Sequence, residues 1–171
     1  MSLDPSVYRN LHQLRAKVES HSARVHAAHA DHLTCRRGCS GCCQTERTVN
    51  DLEFEALREG YEALDSTIKN RLAVEKSGSC PLLLNDACVL YDERPLICRS
   101  HGLPLVMDGR LDVCPLNFED LELETLPEGD LLSVDTLTAI LTVSNMLFCQ
   151  ETNGSPERRR PVSALWEDPS K

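Results

Sequence analysis

The sequence predicts a mainly α protein with short β-hairpins, in which N- and C-terminal helices bracket an irregular, cysteine-rich core. Three observations carry that expectation. Apolar residues recur at helical spacing near both ends of the chain. The stretch from Cys80 to Cys114 instead carries prolines, turn signals and short apolar runs. Cysteines crowd into residues 35–114, with only Cys149 outside. The 171 residues suffice for one domain with a sizeable core and fall short of two enzymatic domains plus a linker. The expected division is a single domain over residues 1–151, with its motif core at 35–116 and a flexible C-terminal tail at 152–171.

The first helix is expected from residue 4 to about 33. Asp4 serves as its N-cap, and Pro5 takes the first helical position, where a missing N–H costs nothing. Val7, Leu11, Leu14, Val18, His21, Val25, Ala28 and His32 alternate spacings of four and three, a heptad-like seam. Such a seam can pack inside the domain or against a protein partner; internal packing is the expectation, because most apolar stripes are core faces.

A second helix is expected over about Asp51 to Leu64, acidic and largely solvent-facing, and Asp65 can cap a third that runs to about Lys76. Ser77-Gly78-Ser79 then breaks the pattern. Residues 82–91 around Asn85-Asp86, and 103–113 around Asp108-Gly109, read as two hairpins. An acidic loop follows, from Glu119 to Asp130. Val134, Leu137, Ile140, Leu141, Ser144, Leu147 and Phe148 then define a final amphipathic helix whose apolar face belongs in the core. Beyond Thr152 the chain has little reason to fold alone, although Trp166 can anchor it.

Composition narrows the function classes. The 18 basic and 27 acidic residues give a net charge of −9, which disfavours a surface that grips nucleic-acid phosphates by bulk electrostatics. Aromatic residues make up 4% of the chain, too few for base-stacking platforms. The longest apolar stretches fall short of the roughly 18 residues that cross a bilayer, so no membrane span is expected. The N-terminus lacks a basic start followed by an apolar run, and a cytoplasmic location is the expectation. In a reducing compartment thiols stay free, bind metal or do redox chemistry.

Two cysteine groups stand out. Cys35, Cys39, Cys42 and Cys43 form a C-x3-C-x2-C-C run directly after the first helix, with Gly38 and Gly41 letting the backbone fold tightly between them. Cys80, Cys88, Cys98 and Cys114 form a distributed second group, with Pro81 and Pro115 after the first and last. Each group can supply the four ligands of a tetrahedral zinc or of an iron–sulfur cluster such as [4Fe–4S]. Neighbouring side chains such as those of Cys42 and Cys43 usually point apart, which suits two metals or a polynuclear centre. Arg36, Arg37, Arg94 and Arg99 flank thiolates and are expected to lower their pKa values. Cys149, alone on the last helix beside Phe148, reads as a buried structural thiol.

The C-x3-C-x2-C-C run, followed by Cys80-Pro81, Cys88-Val89-Leu90-Tyr91-Asp92-Glu93-Arg94-Pro95-Leu96-Ile97-Cys98-Arg99 and Cys114, resembles the YkgJ-like cysteine cluster family, the CxxCxxCC zinc- or iron-chelating domain. The similarity spans about residues 35–116. It implies metal-binding roles for Cys35, Cys39, Cys42, Cys43, Cys80, Cys88, Cys98 and Cys114, and structural or ligand-supporting roles for Tyr91, Arg94, Pro95 and Arg99. It assigns no reaction.

Other signals are weaker. The spacing of Cys35, Cys39 and Cys42 also fits radical S-adenosylmethionine enzymes, but no strand–helix series follows to build their barrel. His12, His21, His26, His29 and His32 share the first helix; exposed or half-buried surface roles are the expectation for them. His101, after Cys98-Arg99, is the better candidate for a Cys3His site. The carboxylates of the acidic loop lack any sign of convergence, and Arg158-Arg159-Arg160 is a short basic run open to an acidic partner.

The sequence thus predicts a metal-binding protein that holds an iron–sulfur cluster, or zinc, through eight cysteines, with the adjacent Cys42 and Cys43 and the Cys-Pro steps tipping the choice to iron–sulfur. An iron–sulfur enzyme or electron-transfer component, and a zinc-stabilised interaction module, are the alternatives.

Overall fold

A computed structural model describes residues 5–74 and 79–166. In chain order it contains α1 (Arg9–Ala28), β1 (Thr48–Val49), α2 (Asp51–Ala63), α3 (Ser66–Val74), β2 (Leu83–Leu84), β3 (Ala87–Cys88), α4 (Leu96–Ser100), β4 (Leu105–Met107), β5 (Arg110–Asp112), β6 (Leu132–Ser133), α5 (Val134–Thr152) and β7 (Arg160–Pro161), joined by short 3-10 turns. The mainly α class with short hairpins and terminal helices is what the sequence predicts. The Asp4 cap, the end of the third helix near Lys76 and the Ser77-Gly78 break lie outside the described residues.

Both hairpins form at the expected turns. β2 pairs antiparallel with β3, and β4 with β5. Asn85 and Asp86 have φ of 51° and 58°, and Asp108 and Gly109 have 49° and 73°. Two successive positive φ angles define the type I′ turn, whose twist matches that of the strands it joins.

The described residues fall into two compact units. The first gathers residues 5–8, 37–95 and 145–166. Its core is Val49, Phe54, Leu57, Leu82, Leu90, Val162 and Leu165. Asn50 caps α2, its side chain accepting from the Glu53 amide at 2.9 Å. The expected solvent-facing α2 is corrected here. Asp51, Leu52, Glu53, Phe54, Ala56 and Leu57 are all buried, because the C-terminal segment covers the helix. Asp51 accepts from Arg158 at 2.8 and 2.7 Å, and the Arg160 guanidinium lies 3.4 Å over the Phe54 ring while it bridges to Glu55.

Within the segment expected as a tail, the described residues 153–166 make the same kind of contact. β7 pairs with β1, placing Thr48 opposite Pro161 and Val49 opposite Arg160, and Val162 and Leu165 enter the core. The basic run finds its acidic partners, Asp51 and Glu55, within its own chain.

The second unit gathers residues 9–36 and 96–144. α1 packs on α4 through Leu14, Val18 and Leu96, with Leu132, Leu137 and Leu141 against them. A second cluster joins Val25, Leu103, Phe118 and Leu126. β4 is the centre of a three-stranded sheet, antiparallel to β5 and parallel to β6. α1 ends five residues sooner than expected, at Ala28, where His29 leaves helical geometry (φ −130°, ψ 35°).

His29 donates to the buried Asp130 carboxylate at 2.8 Å, and Arg24 pairs with the same carboxylate, which together hold it below the usual carboxylate range. His32 pairs with Asp120 at 2.7 Å. The acidic loop is therefore pinned at Asp130 and Asp120.

α5 meets only part of its expectation. Phe148 is buried and Leu137 and Leu141 pack on the core, but Ile140 and Leu147 are exposed. The buried face instead includes Ser144 and Asn145. Their polar groups are satisfied locally: Ser144 bonds the Ile140 carbonyl at 2.8 Å, and Asn145 accepts from the Leu52 amide at 3.0 Å and donates to the Pro156 carbonyl at 3.1 Å.

Candidate metal centre

In the first unit Gly38, at φ 95°, bends the chain ahead of Cys39. Cys42 and Cys43 then sit in a 3-10 turn, Gly41–Gln44, closed by the Cys43 amide on the Ser40 carbonyl at 2.9 Å. The Cys80 amide donates to the Cys43 carbonyl at 2.7 Å, tying the second cysteine group to the first through backbone. Cys88 lies on β3, opposite Leu83. Ser40 reaches the turn of that hairpin, donating to Asp86 at 3.2 Å.

The thiols of this unit act on one another. Cys42 and Cys43 share a side-chain hydrogen bond, which with burial pushes the Cys42 thiol far above its ordinary value. Burial chiefly raises Cys80, with the charge of Glu46 and, less, that of Cys42 adding to it. Cys88 is pushed up to about 11, again by burial first, with Cys80 a lesser contribution. The expectation that flanking arginines lower the thiol pKa values is thereby corrected for these three. Arg94 does act to lower Cys88, but burial outweighs it.

The arginines have other seats. Arg94 donates to the Tyr91 carbonyl at 2.8 Å and its guanidinium lies 3.5 Å from the Tyr91 ring centroid, while Arg37, from the first cysteine run, lies 4.9 Å from the same ring. Tyr91 therefore anchors the Arg37 loop to the segment after Cys88 by cation–π contacts.

In the second unit the Cys35 thiol faces the His101 carbonyl at 4.0 Å. Gly102 has φ 96°, and a Cβ there would stand 2.4 Å from the Cys35 sulfur, so the close approach of these segments requires glycine. Cys98 lies on α4, three residues before His101, and Arg99 pairs with Glu19. Asn117, fully buried, accepts from the Thr34 amide and hydroxyl at 2.9 Å each, donates to the Gly102 carbonyl at 2.7 Å, and bonds the Cys114 carbonyl through its own amide at 2.9 Å.

All eight predicted ligands are half-buried. Each unit draws on both cysteine groups. Cys39, Cys42, Cys43, Cys80 and Cys88 lie in the first, and Cys35, Cys98 and Cys114 in the second. Among the described residues no disulfide forms, and no three His, Cys, Asp or Glu side chains converge on one point as metal ligands would. His101 presents its backbone carbonyl to Cys35.

The donor chemistry nevertheless fits a soft or borderline metal. Burial makes bare thiolates costly here, and a bound cation is what lets neighbouring thiols lose their protons together. Cys149 is buried and set against the Asn145 side chain at 3.8 Å. Sequence reasoning missed Asn117 and Gly102. Their only signals were the turn-forming Asn shortly after Cys114-Pro115 and a glycine shortly after Cys98.

Residues 34–115 match a known family, CxxCxxCC, whose description reads "Putative zinc- or iron-chelating domain". Comparison with curated proteins and with solved structures gives no match. No helix among the described residues is long and apolar enough to cross a membrane.

Proposed function

Since residues 34–115 match the CxxCxxCC domain, we propose that the chain is a metal-binding protein whose eight cysteines, Cys35, Cys39, Cys42, Cys43, Cys80, Cys88, Cys98 and Cys114, are its metal ligands, with iron–sulfur the favoured form of the metal. One observation carries this reading. Cys42 and Cys43 from the first run share a compact unit with Cys80 and Cys88 from the second: a backbone bond joins Cys80 to Cys43, and electrostatic contacts run from Cys43 to Cys42, Cys42 to Cys80 and Cys80 to Cys88. Four sulfurs drawn from distant parts of the chain are the number that a cluster or a tetrahedral ion takes. A bound cluster would supply a one-electron redox centre. The chain's own part is to furnish the thiolates, shield them by burial and hold the two runs in register.

Zinc is the second reading, and one contact favours it. The hydrogen bond between Cys42 and Cys43 brings adjacent sulfurs to one side of the turn, so a single ion can use both. Under that reading the metal holds the fold, and the protein serves as an interaction module in the cytoplasm. Anaerobic purification separates the two. A coloured protein with iron, sulfide and a broad thiolate-to-iron absorption supports the cluster; a colourless protein retaining zinc supports the second reading. A chain that retains neither contradicts both.

A further inference from the structure

Three segments that carry cysteines far apart in sequence meet at one side chain. Asn117 uses both ends of its amide and its backbone N–H. The carbonyl oxygen accepts from Thr34, next to Cys35; the side-chain NH2 donates to Gly102, four residues after Cys98; the main-chain N–H donates to Cys114 itself. Asn117 is 2% exposed, and its bond to the Gly102 carbonyl is buried while those to Thr34 are partly so. The Thr34 hydroxyl also reaches the Leu116 carbonyl at 2.9 Å, closing the same knot. Beside it the Cys35 sulfur occupies the space that a side chain at Gly102 would need.

We propose that Asn117 is a positioning residue that gathers Cys35, Cys98 and Cys114 into one metal-binding thiolate group. The inference rests on the metal-binding reading above and adds to it the device that assembles this set. A buried asparagine suits the task for a physical reason. A single planar amide fixes an acceptor and a donor in opposite directions, so it can hold two strands of irregular backbone that no helix or sheet supports. Leucine or alanine there would leave the buried Gly102 carbonyl without this partner and free the part-buried Thr34 amide from its acceptor.

The test uses the full chain loaded with zinc alone, followed by timed alkylation and mass spectrometry of each cysteine. In the wild type all eight thiols are protected. In Asn117→Ala, alkylation of Cys35, Cys98 and Cys114 accelerates about tenfold or more, the scale on which loss of a ligand-supporting hydrogen bond weakens metal sites, while Cys39, Cys42, Cys43, Cys80 and Cys88 keep their protection. If Asn117→Ala is insoluble, Asn117→Asp carries the test. Its carboxylate retains the Thr34 contact and cannot donate to the Gly102 carbonyl, so the same selective loss is expected. Unchanged protection of the three thiols, or equal loss across all eight in a variant with wild-type circular dichroism, overturns the inference. A wild-type chain that binds zinc but protects only the thiols of the first unit also overturns it. A wild-type chain that protects none overturns the metal reading itself, and the inference with it.

Discussion

The main-chain amide of Cys80 donates to the carbonyl of Cys43 at 2.7 Å, so the two cysteine runs are joined by backbone before any metal is considered. Side chains at this junction can be exchanged without cutting that link. Cys42→Ser, Cys88→Ser, Cys39→Ser and Cys98→Ser are therefore expected to lower bound metal per chain while leaving helical content intact. Cys149→Ser keeps full metal content. It costs about 1 kcal/mol of stability, because a buried thiol becomes a more strongly solvated hydroxyl. Metal analysis on the purified variants checks the series, and equal content in all of them contradicts the ligand assignment.

Metal loading should tighten as pH rises. The thiols of Cys42, Cys80 and Cys88 are all held above their ordinary value, so they are protonated at neutral pH and must release protons on binding. Each released proton strengthens apparent affinity by about tenfold per pH unit. Zinc competition at two pH values between 6 and 8 measures the slope.

Stability of the metal-free chain takes the opposite sign. A folded-state pKa raised for an acid means that unfolding lets the thiol ionise. The contribution of Cys88 is whole below 9.0 and is lost as pH climbs from there to about 11. Denaturant titrations of metal-free protein at pH 8 and pH 10 test this, and a chain more stable at the higher pH contradicts it.

Arg158→Ala leaves the Asp51 carboxylate buried with the Ser155 amide at 3.2 Å as a remaining donor. A loss of about 2–3 kcal/mol is expected, below the cost at a wholly buried pair because Arg158 is half exposed. Truncation after Ser155 is expected to cost more. It also removes Val162 and Leu165 from the core and strips β1 of its partner. Chemical denaturation of both variants gives the ordering.

Gly102→Ala strains the backbone at φ 96° and drives a methyl into the Cys35 sulfur. About 1–3 kcal/mol is the usual cost of such a conformation. The expected result is a lower melting temperature together with faster alkylation of Cys35. A variant with wild-type values of both contradicts the close approach.

Much of this was legible in the sequence, for local reasons. Asn85-Asp86 and Asp108-Gly109 announce their turns because few other residue pairs adopt two positive φ angles cheaply. Leu11, Leu14, Val18 and Val25 announce a buried helical face. The cysteine spacing announced the candidate ligands, and the family match covers their segment.

What stayed hidden depends on partners remote in sequence. α2 reads as a solvent-facing acidic helix until Arg158 and Arg160 are seen against Asp51 and Glu55. The tail reads as polar because its core residues, Val162 and Leu165, sit in one short run, Val162–Trp166, between an arginine-rich stretch and acidic residues. Arginines beside cysteines suggested lowered thiol pKa values, yet burial prevails and Arg94 is seated on Tyr91. Asn117 carries no spacing pattern at all, since its partners are mostly backbone atoms of other segments.

The most direct test is elemental and sulfide analysis of the full chain purified without oxygen, read beside its visible spectrum. The account predicts bound iron with matching sulfide, or zinc in the second reading, lost when Cys42 and Cys80 are replaced together by serine. A wild-type protein that is folded, fully reduced and carries neither metal would contradict it.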